Sequence, residues 1–216
     1  MTISVFLADD HRIMRDGLRK LIEARPDMRV VGESGEGRET ISEVCRRKPD
    51  VVLLDIAMPG LNGIEAAREI RRRCPEVEVV MLSMHSTTEH IYRALEAGAR
   101  GFLLKECAGS EVIEAVRAAK AGRRYLSVKM PESEVEAYLK RREAGKTASP
   151  LDRLSPRERE ILQLVVEGQS SADIAKIVFL SPKTVETYRS RLMKKLGVAD
   201  LTELIRYAVA NGLTPP

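Results

Sequence analysis

Five residues of this 216-residue chain are of types that could do chemistry together. Asp9 and Asp10 follow the apolar run Ile3–Ala8, and Asp55 follows Val51–Leu54. Ser83 and Lys105 close two further runs, Val77–Leu82 and Gly101–Leu104. If those runs are strands of one parallel sheet, their carboxyl ends converge on one crevice, and all five side chains meet there. Three carboxylates on one rim repel and raise one another's pKa, so the cluster calls for a cation. All-oxygen ligands favour Mg²⁺, which keeps several waters and takes one or two carboxylates. A hydroxyl and an ammonium on the same rim complete a site for a phosphoryl group. Asp55 would be the nucleophile, Mg²⁺ and Lys105 would sit on the oxygens, and Ser83 would be the hydroxyl donor. Any one of these acids could simply cap a helix; five matched residues at four strand ends are not explained that way.

The elements that must position them are legible. The runs Ile3–Ala8, Val30–Gly32, Val51–Leu54, Val77–Leu82 and Gly101–Leu104 are short, rich in Val, Ile and Leu, and nearly continuous in apolar character. That pattern marks strands covered on both faces. Between them apolar residues recur at helical spacing, as in Met14, Gly17, Leu18, Leu21 and Ile22 or Ile64, Ala67 and Ile70. Residues 1–119 are therefore expected to be α/β, a doubly wound five-stranded parallel sheet.

Beyond that point the pattern changes. Residues 120–150 read as a linker, with Pro131 able to start a short helix through Leu139 and a charged, breaker-containing stretch after it. Residues 151–216 carry no strand signal. Leu154-Ser155-Pro156-Arg157-Glu158 is a capping box with Pro at the first helical position, and Gly168 closes that helix. Further helices are expected over about Ser171–Val178, from Ser181-Pro182 to Leu196-Gly197, and over about Asp200–Asn211. The short turn around Leu180 gives the second and third helix-turn-helix spacing. Along the third helix Val185, Leu192 and Leu196 form an apolar stripe, with Lys183, Arg189, Arg191, Lys194 and Lys195 off it.

Composition narrows the function classes. With 44% apolar and 31% charged residues, collagen-like and disordered chains are disfavoured. No apolar run approaches the ~20 residues of a membrane span, and no secretion signal is visible, so a cytoplasmic protein with no membrane partner is expected. Cys45, Cys74 and Cys107 are odd in number and widely spaced, which argues against a disulfide framework and a zinc site; they read as inert thiols. Of the histidines, His11, His85 and His90, none is assigned to metal. Residues 1–119 carry 18 Lys/Arg against 20 Asp/Glu, whereas residues 120–150 carry 8 against 4 and residues 151–216 carry 10 against 8. A basic remainder suits a negatively charged partner.

Across residues 1–119 the sequence resembles the receiver domain of a two-component response regulator, a flavodoxin-like fold. The resemblance rests on Asp9-Asp10, Asp55 followed by Met58-Pro59-Gly60 and Asn62-Gly63, Ser83 and Lys105. It implies that a sensor histidine kinase donates a phosphoryl group to Asp55, with Mg²⁺ held by Asp10, Asp55 and the carbonyl of Ala57, assisted by Asp9. It also implies an aromatic switch at Phe102. Residues 151–216 resemble the four-helix LuxR/FixJ/NarL-type output domain through Leu154–Glu158, Glu167-Gly168, Asp173-Ile174-Ala175, Leu180-Ser181, Thr184-Val185 and Lys195–Val198. Carried over by position, Glu186, Thr187 and Ser190 face base edges, while Ser171, Lys183, Thr184 and Lys195 contact phosphate. The family usually has Lys at the position of Glu186 and His at that of Tyr188.

The implied protein is a phosphorylation-controlled transcriptional regulator, binding promoter DNA as a homodimer when phosphorylated, and not an enzyme. A phosphatase on the same sheet would need a second Asp two residues after the nucleophile, and Ala57 stands there. The remaining alternative is a DNA-binding regulator that needs no phosphorylation and is controlled by a protein partner.

Overall fold

The computed structural model describes residues 2–84, 87–129, 132–143 and 150–210. His85, Pro131, Asn211 and the linker residues 144–149 lie outside them. Two compact units are present, residues 1–140 and 141–216.

In the first unit, strands and helices alternate: β1 (Ile3–Ala8), α1 (Arg12–Glu23), β2 (Met28–Ser34), α2 (Gly37–Arg47), β3 (Val51–Asp55), α3 (Gly63–Arg73), β4 (Glu78–Ser83), α4 (Thr88–Glu96), β5 (Gly101–Leu104), α5 (Ala108–Lys120), β6 (Tyr125–Leu126) and α6 (Glu132–Glu143). The sheet is parallel throughout, in the order β2-β1-β3-β4-β5-β6. Because side chains alternate across a strand, the two faces hold separate cores. Val5, Leu7, Val51 and Leu53 pack with Leu18 and Ile22 of α1 and Val112 and Val116 of α5. Phe6, Ala8, Val52 and Leu54 pack with residues of α2, α3 and α4, among them Val44, Ile64 and Ile91.

Three features depart from the sequence reading. The sheet has a sixth strand, since Tyr125 and Leu126 pair with Gly101 and Phe102; a two-residue strand has no period to read. Cys45 and Cys74 form a disulfide, with Cα atoms 5.7 Å apart, which corrects the expectation of three inert thiols. Cys45 on α2 and Cys74 at the end of α3 lie side by side, which a sequence separation of 29 conceals. Cys107 is a buried free thiol, as expected. Leu21, one of the apolar residues read at helical spacing in α1, is 37% exposed, and Ile13, two turns before it, is 88% exposed.

In the second unit, α7 (Pro156–Val166), α8 (Ser171–Val178), α9 (Pro182–Leu196) and α10 (Leu201–Ala210) enclose a core of Ile161, Leu162, Ile174, Val178, Val185, Leu192 and Leu204. The expected capping box opens α7: Ser155 accepts from the Glu158 N–H, and the Glu158 carboxylate accepts from the Ser155 N–H at 2.7 Å. Among the described residues no helix is long and apolar enough to cross a membrane.

Candidate functional site

Strand register assembles the first site. Ala8 pairs with Leu54, Asp55 with Leu82, and Ser83 with Leu104. Asp9, Asp55, Ser83 and Lys105 therefore fall on one rim at consecutive strand ends. All four are buried, as is Phe102 in the middle of β5. Gly63 lets α3 approach: a Cβ there would stand 2.0 Å from the Asp55 carbonyl oxygen. Its N–H instead bonds the Ile56 carbonyl at 2.9 Å, and Asn62 caps the helix by accepting from the Glu65 N–H. The turn that carries Ala57 and Met58 is thereby folded tightly back over Asp55.

Lys105 Nζ lies 2.8 Å from Asp9 Oδ2 and 2.9 Å from Asp55 Oδ2, bridging the two carboxylates. Burial would depress this ammonium, but the charges of Asp55 and Asp9 outweigh it and hold Lys105 above its usual range. Asp55 is pushed up to about 6, first by burial and then by the charge of Asp9, with Lys105 and the Ala57 N–H acting in the opposite direction. The single ammonium of Lys105 does not offset burial and the second acid. Ligand atoms of Asp9, Asp10, His11 and Asp55 lie within 4.8 Å of one another, a hard oxygen-rich set that fits a small divalent cation. His11 Nδ1 is 2.6 Å from Asp10 Oδ1, so this histidine, next in sequence to the acid pair, also borders it in space. His90 is buried on α4.

In the second unit, Ser170 caps α8, Phe179 ends it in the left-handed conformation, and Ser181 caps α9 by accepting from the Thr184 N–H. Val185 and Leu192 point α9 inward. On the opposite face Lys183, Glu186, Thr187 and Ser190 are exposed together, at the spacing that puts side chains in one row. Ser171 Oγ accepts from Arg189 at 2.9 Å, tying α9 to the start of α8. Lys195 is not in the row: its Nζ lies 2.7 Å from Glu158 Oε2, on the side of α9 that faces α7.

Residues 5–117 match the response regulator receiver domain, and residues 152–208 match the bacterial regulatory proteins of the luxR family. The chain belongs to the LuxR-type response regulators. Response regulator UvrY of Escherichia coli K12 is 36% identical to this regulator over 211 residues, covering 98% of this chain and 95% of UvrY. The transcriptional regulatory protein LiaR of Bacillus subtilis 168 is also 36% identical over 211 residues, covering 98% and 99%. Among solved structures, RcsB of Salmonella enterica serovar Typhimurium, bound to promoter P1flhDC with phosphomimetic BeF₃⁻, is 28% identical with a TM-score of 0.64 over the whole of both chains. The fold class and family read from the regulator's sequence are borne out. Two exposed cations of α9 went unselected as contacts: Arg191 and Lys194 follow Thr187 and Ser190 by four residues and extend the outward row. Lys195 stands about 40° round the wheel from Arg191, at the margin of that row, and differs from them in its ion pair with Glu158.

Proposed function

We propose that Asp55 accepts a phosphoryl group from the phosphohistidine of a sensor histidine kinase, and that this controls binding of promoter DNA by a homodimer in the cytoplasm. The observation that carries the reading is Lys105 bridging Asp9 and Asp55 in a buried pocket. The Asp55 carboxylate attacks phosphorus, forming a P–O bond as the P–N bond to the donor imidazole breaks; the imidazole leaves with the bonding pair and takes up a proton. Lys105 turns its ammonium from the two acids toward the phosphoryl oxygens, and Ser83 donates its hydroxyl to another. Asp10, Asp55 and the Ala57 carbonyl, assisted by Asp9, would hold Mg²⁺, which neutralises charge on the transferring group when bound. Nothing in this pocket supplies a second acid/base two residues after the nucleophile, because Ala57 is there, so the regulator is read as a phosphoacceptor rather than an enzyme.

In the output domain Glu186, Thr187 and Ser190 face base edges, and Lys183, Thr184 and Ser171 hold phosphate, with Lys195 in reserve behind its ion pair. Two linked copies convert the second DNA contact into an intramolecular one, with half-sites about ten base pairs apart on one side of the duplex. The test is phosphorylation of the full chain with acetyl phosphate and Mg²⁺, followed by operator binding. Acylphosphate on Asp55 together with tighter operator binding is expected; equal affinity and footprint for both forms would overturn control by phosphorylation.

A further inference from the structure

We infer that β6 with Ser127, and the α6 residues up to Leu139, act together as a strap that clamps α4 and Phe102 in the unphosphorylated protein and lets go when Asp55 is phosphorylated. This rests on the reading of Asp55 as phosphoacceptor. The strap is held at two places. At its start, β6 pairs with β5, the Ser127 N–H donates to the Phe102 carbonyl at 3.0 Å, and the buried Ser127 hydroxyl donates to Glu111 of α5 at 2.6 Å. At its end, α6 is strongly polar but carries Val135, Tyr138 and Leu139 at spacings of three and four, a single apolar face. Val135 is 2% exposed and belongs to the same core as Ile91, Ala94 and Phe102, with Leu126 and Leu139 packed against it. The Tyr138 ring meets Tyr92 of α4 edge-on with centroids 6.1 Å apart, and its hydroxyl donates to Glu89. Glu136, Ala137 and Lys140 face solvent.

The clamp touches the pocket through a short chain path. Ser83 ends β4, and only three residues separate it from Thr87, which caps α4 by accepting from the His90 N–H. Glu89, the partner of Tyr138, lies in that first turn. A phosphoryl group on Asp55 that draws in the Ser83 hydroxyl therefore pulls directly on the turn that holds Tyr138. Phe102 supplies the second link, since the strap bonds its carbonyl and packs in the core that contains its ring. Packed interfaces of this kind switch between discrete arrangements rather than deforming smoothly. The strap leads covalently into residues 141–216, so its release changes the tether of the output domain.

Amide hydrogen exchange on the full-length protein tests this, with Mg²⁺ present and with or without beryllofluoride as phosphoryl mimic. Beryllofluoride is expected to slow exchange around residues 52–58 and to speed exchange of residues 133–140 at least tenfold, with Asp55→Asn abolishing both effects. Tyr138→Phe keeps the ring but loses the hydroxyl bond, so exchange over α6 should already be several-fold faster without the mimic. Slowed exchange at the pocket with unchanged exchange over α6, or no effect of Tyr138→Phe, overturns the strap and leaves the phosphoacceptor standing. No change at either place removes the phosphoacceptor reading and the strap with it.

Discussion

Lys195 Nζ and Glu158 Oε2 lie 2.7 Å apart, joining the last turn of α9 to the first turn of α7. The same carboxylate oxygen accepts from the Ser155 N–H, so one acid closes the capping box and ties α7 to α9, the helix proposed to face DNA. A lysine that sequence placed on phosphate thus has a structural partner inside its own domain.

Lys195→Met is expected to destabilise the output domain by about 1 kcal/mol, the cost of a partly exposed charged hydrogen bond. Its effect on the salt slope of DNA binding should be less than half that of Lys183→Ala, which should lower the slope by about one counterion. Unfolding curves and binding isotherms at two salt concentrations check both. A full-counterion loss with unchanged stability for Lys195→Met would show that its ammonium leaves Glu158 for phosphate.

Burial would raise the Glu158 carboxyl, yet Lys195 and the Ser155 N–H and hydroxyl outweigh it and hold it below the usual range. A group depressed on folding gives stability present above its unfolded pKa of ~4.5 and lost as pH falls through the folded value. Glu158→Gln should cost about 1 kcal/mol at pH 7, of the size of a lost cap, and the gap to the parent should close below about pH 4. Urea titrations at the two pH values decide it.

The opposite sign holds at Asp55. Its carboxyl, raised to about 6, costs stability that appears as pH climbs from ~4 through 6. Asp55→Asn should therefore abolish acylphosphate formation and also stabilise the metal-free protein by roughly 1–3 kcal/mol at pH 7. Added Mg²⁺ should reduce that advantage, because it supplies the missing charge. Phosphoryl uptake by the Asn variant would remove Asp55 as acceptor.

Glu186 projects from the outward row of α9. If it accepts from a cytosine amino group, Glu186→Ala should cost roughly 1–3 kcal/mol on the preferred operator and relax the preference at one base pair. Binding to scrambled DNA should tighten slightly, since a negative charge leaves the groove. A uniform loss on both DNAs, with base preference intact, would assign Glu186 a different role.

The Cys45–Cys74 disulfide closes a loop of 29 residues, which in the chain-entropy account is worth about 3–4 kcal/mol. Thiol titration of denatured, unreduced protein should find one free thiol, Cys107. Reduction should lower Tm by several degrees, and Cys45→Ala should remove that sensitivity. Three free thiols in the isolated protein would rule the bond out.

The five long strands were legible because a parallel sheet buried on both faces demands continuous apolar runs, and the pocket because each of its residues stands where such a run stops. What escaped notice depends on partners distant in the chain. Glu158 and Lys195 are 37 positions apart, and no helical period links them. Cys45 and Cys74 meet only because α2 and α3 are neighbours across the β3 crossover. The apolar face of α6 comprises three residues among nine charged or small ones, and it becomes meaningful only once α4 is beside it. Lys183, Glu186, Thr187 and Ser190, by contrast, share a face that any wheel of α9 displays.

The brevity of β6 has a further effect on the behaviour of the protein in solution. An outer strand with a full row of unpaired N–H and C=O groups is a template for another chain to add to. Here β5 is covered by only two paired residues before Ser127 turns the chain into its bond with Glu111. The open ladder on that side is thus too short to seed growth of a sheet between molecules. Loss of the Ser127–Glu111 anchor would bare β5, and aggregation at high concentration would report it.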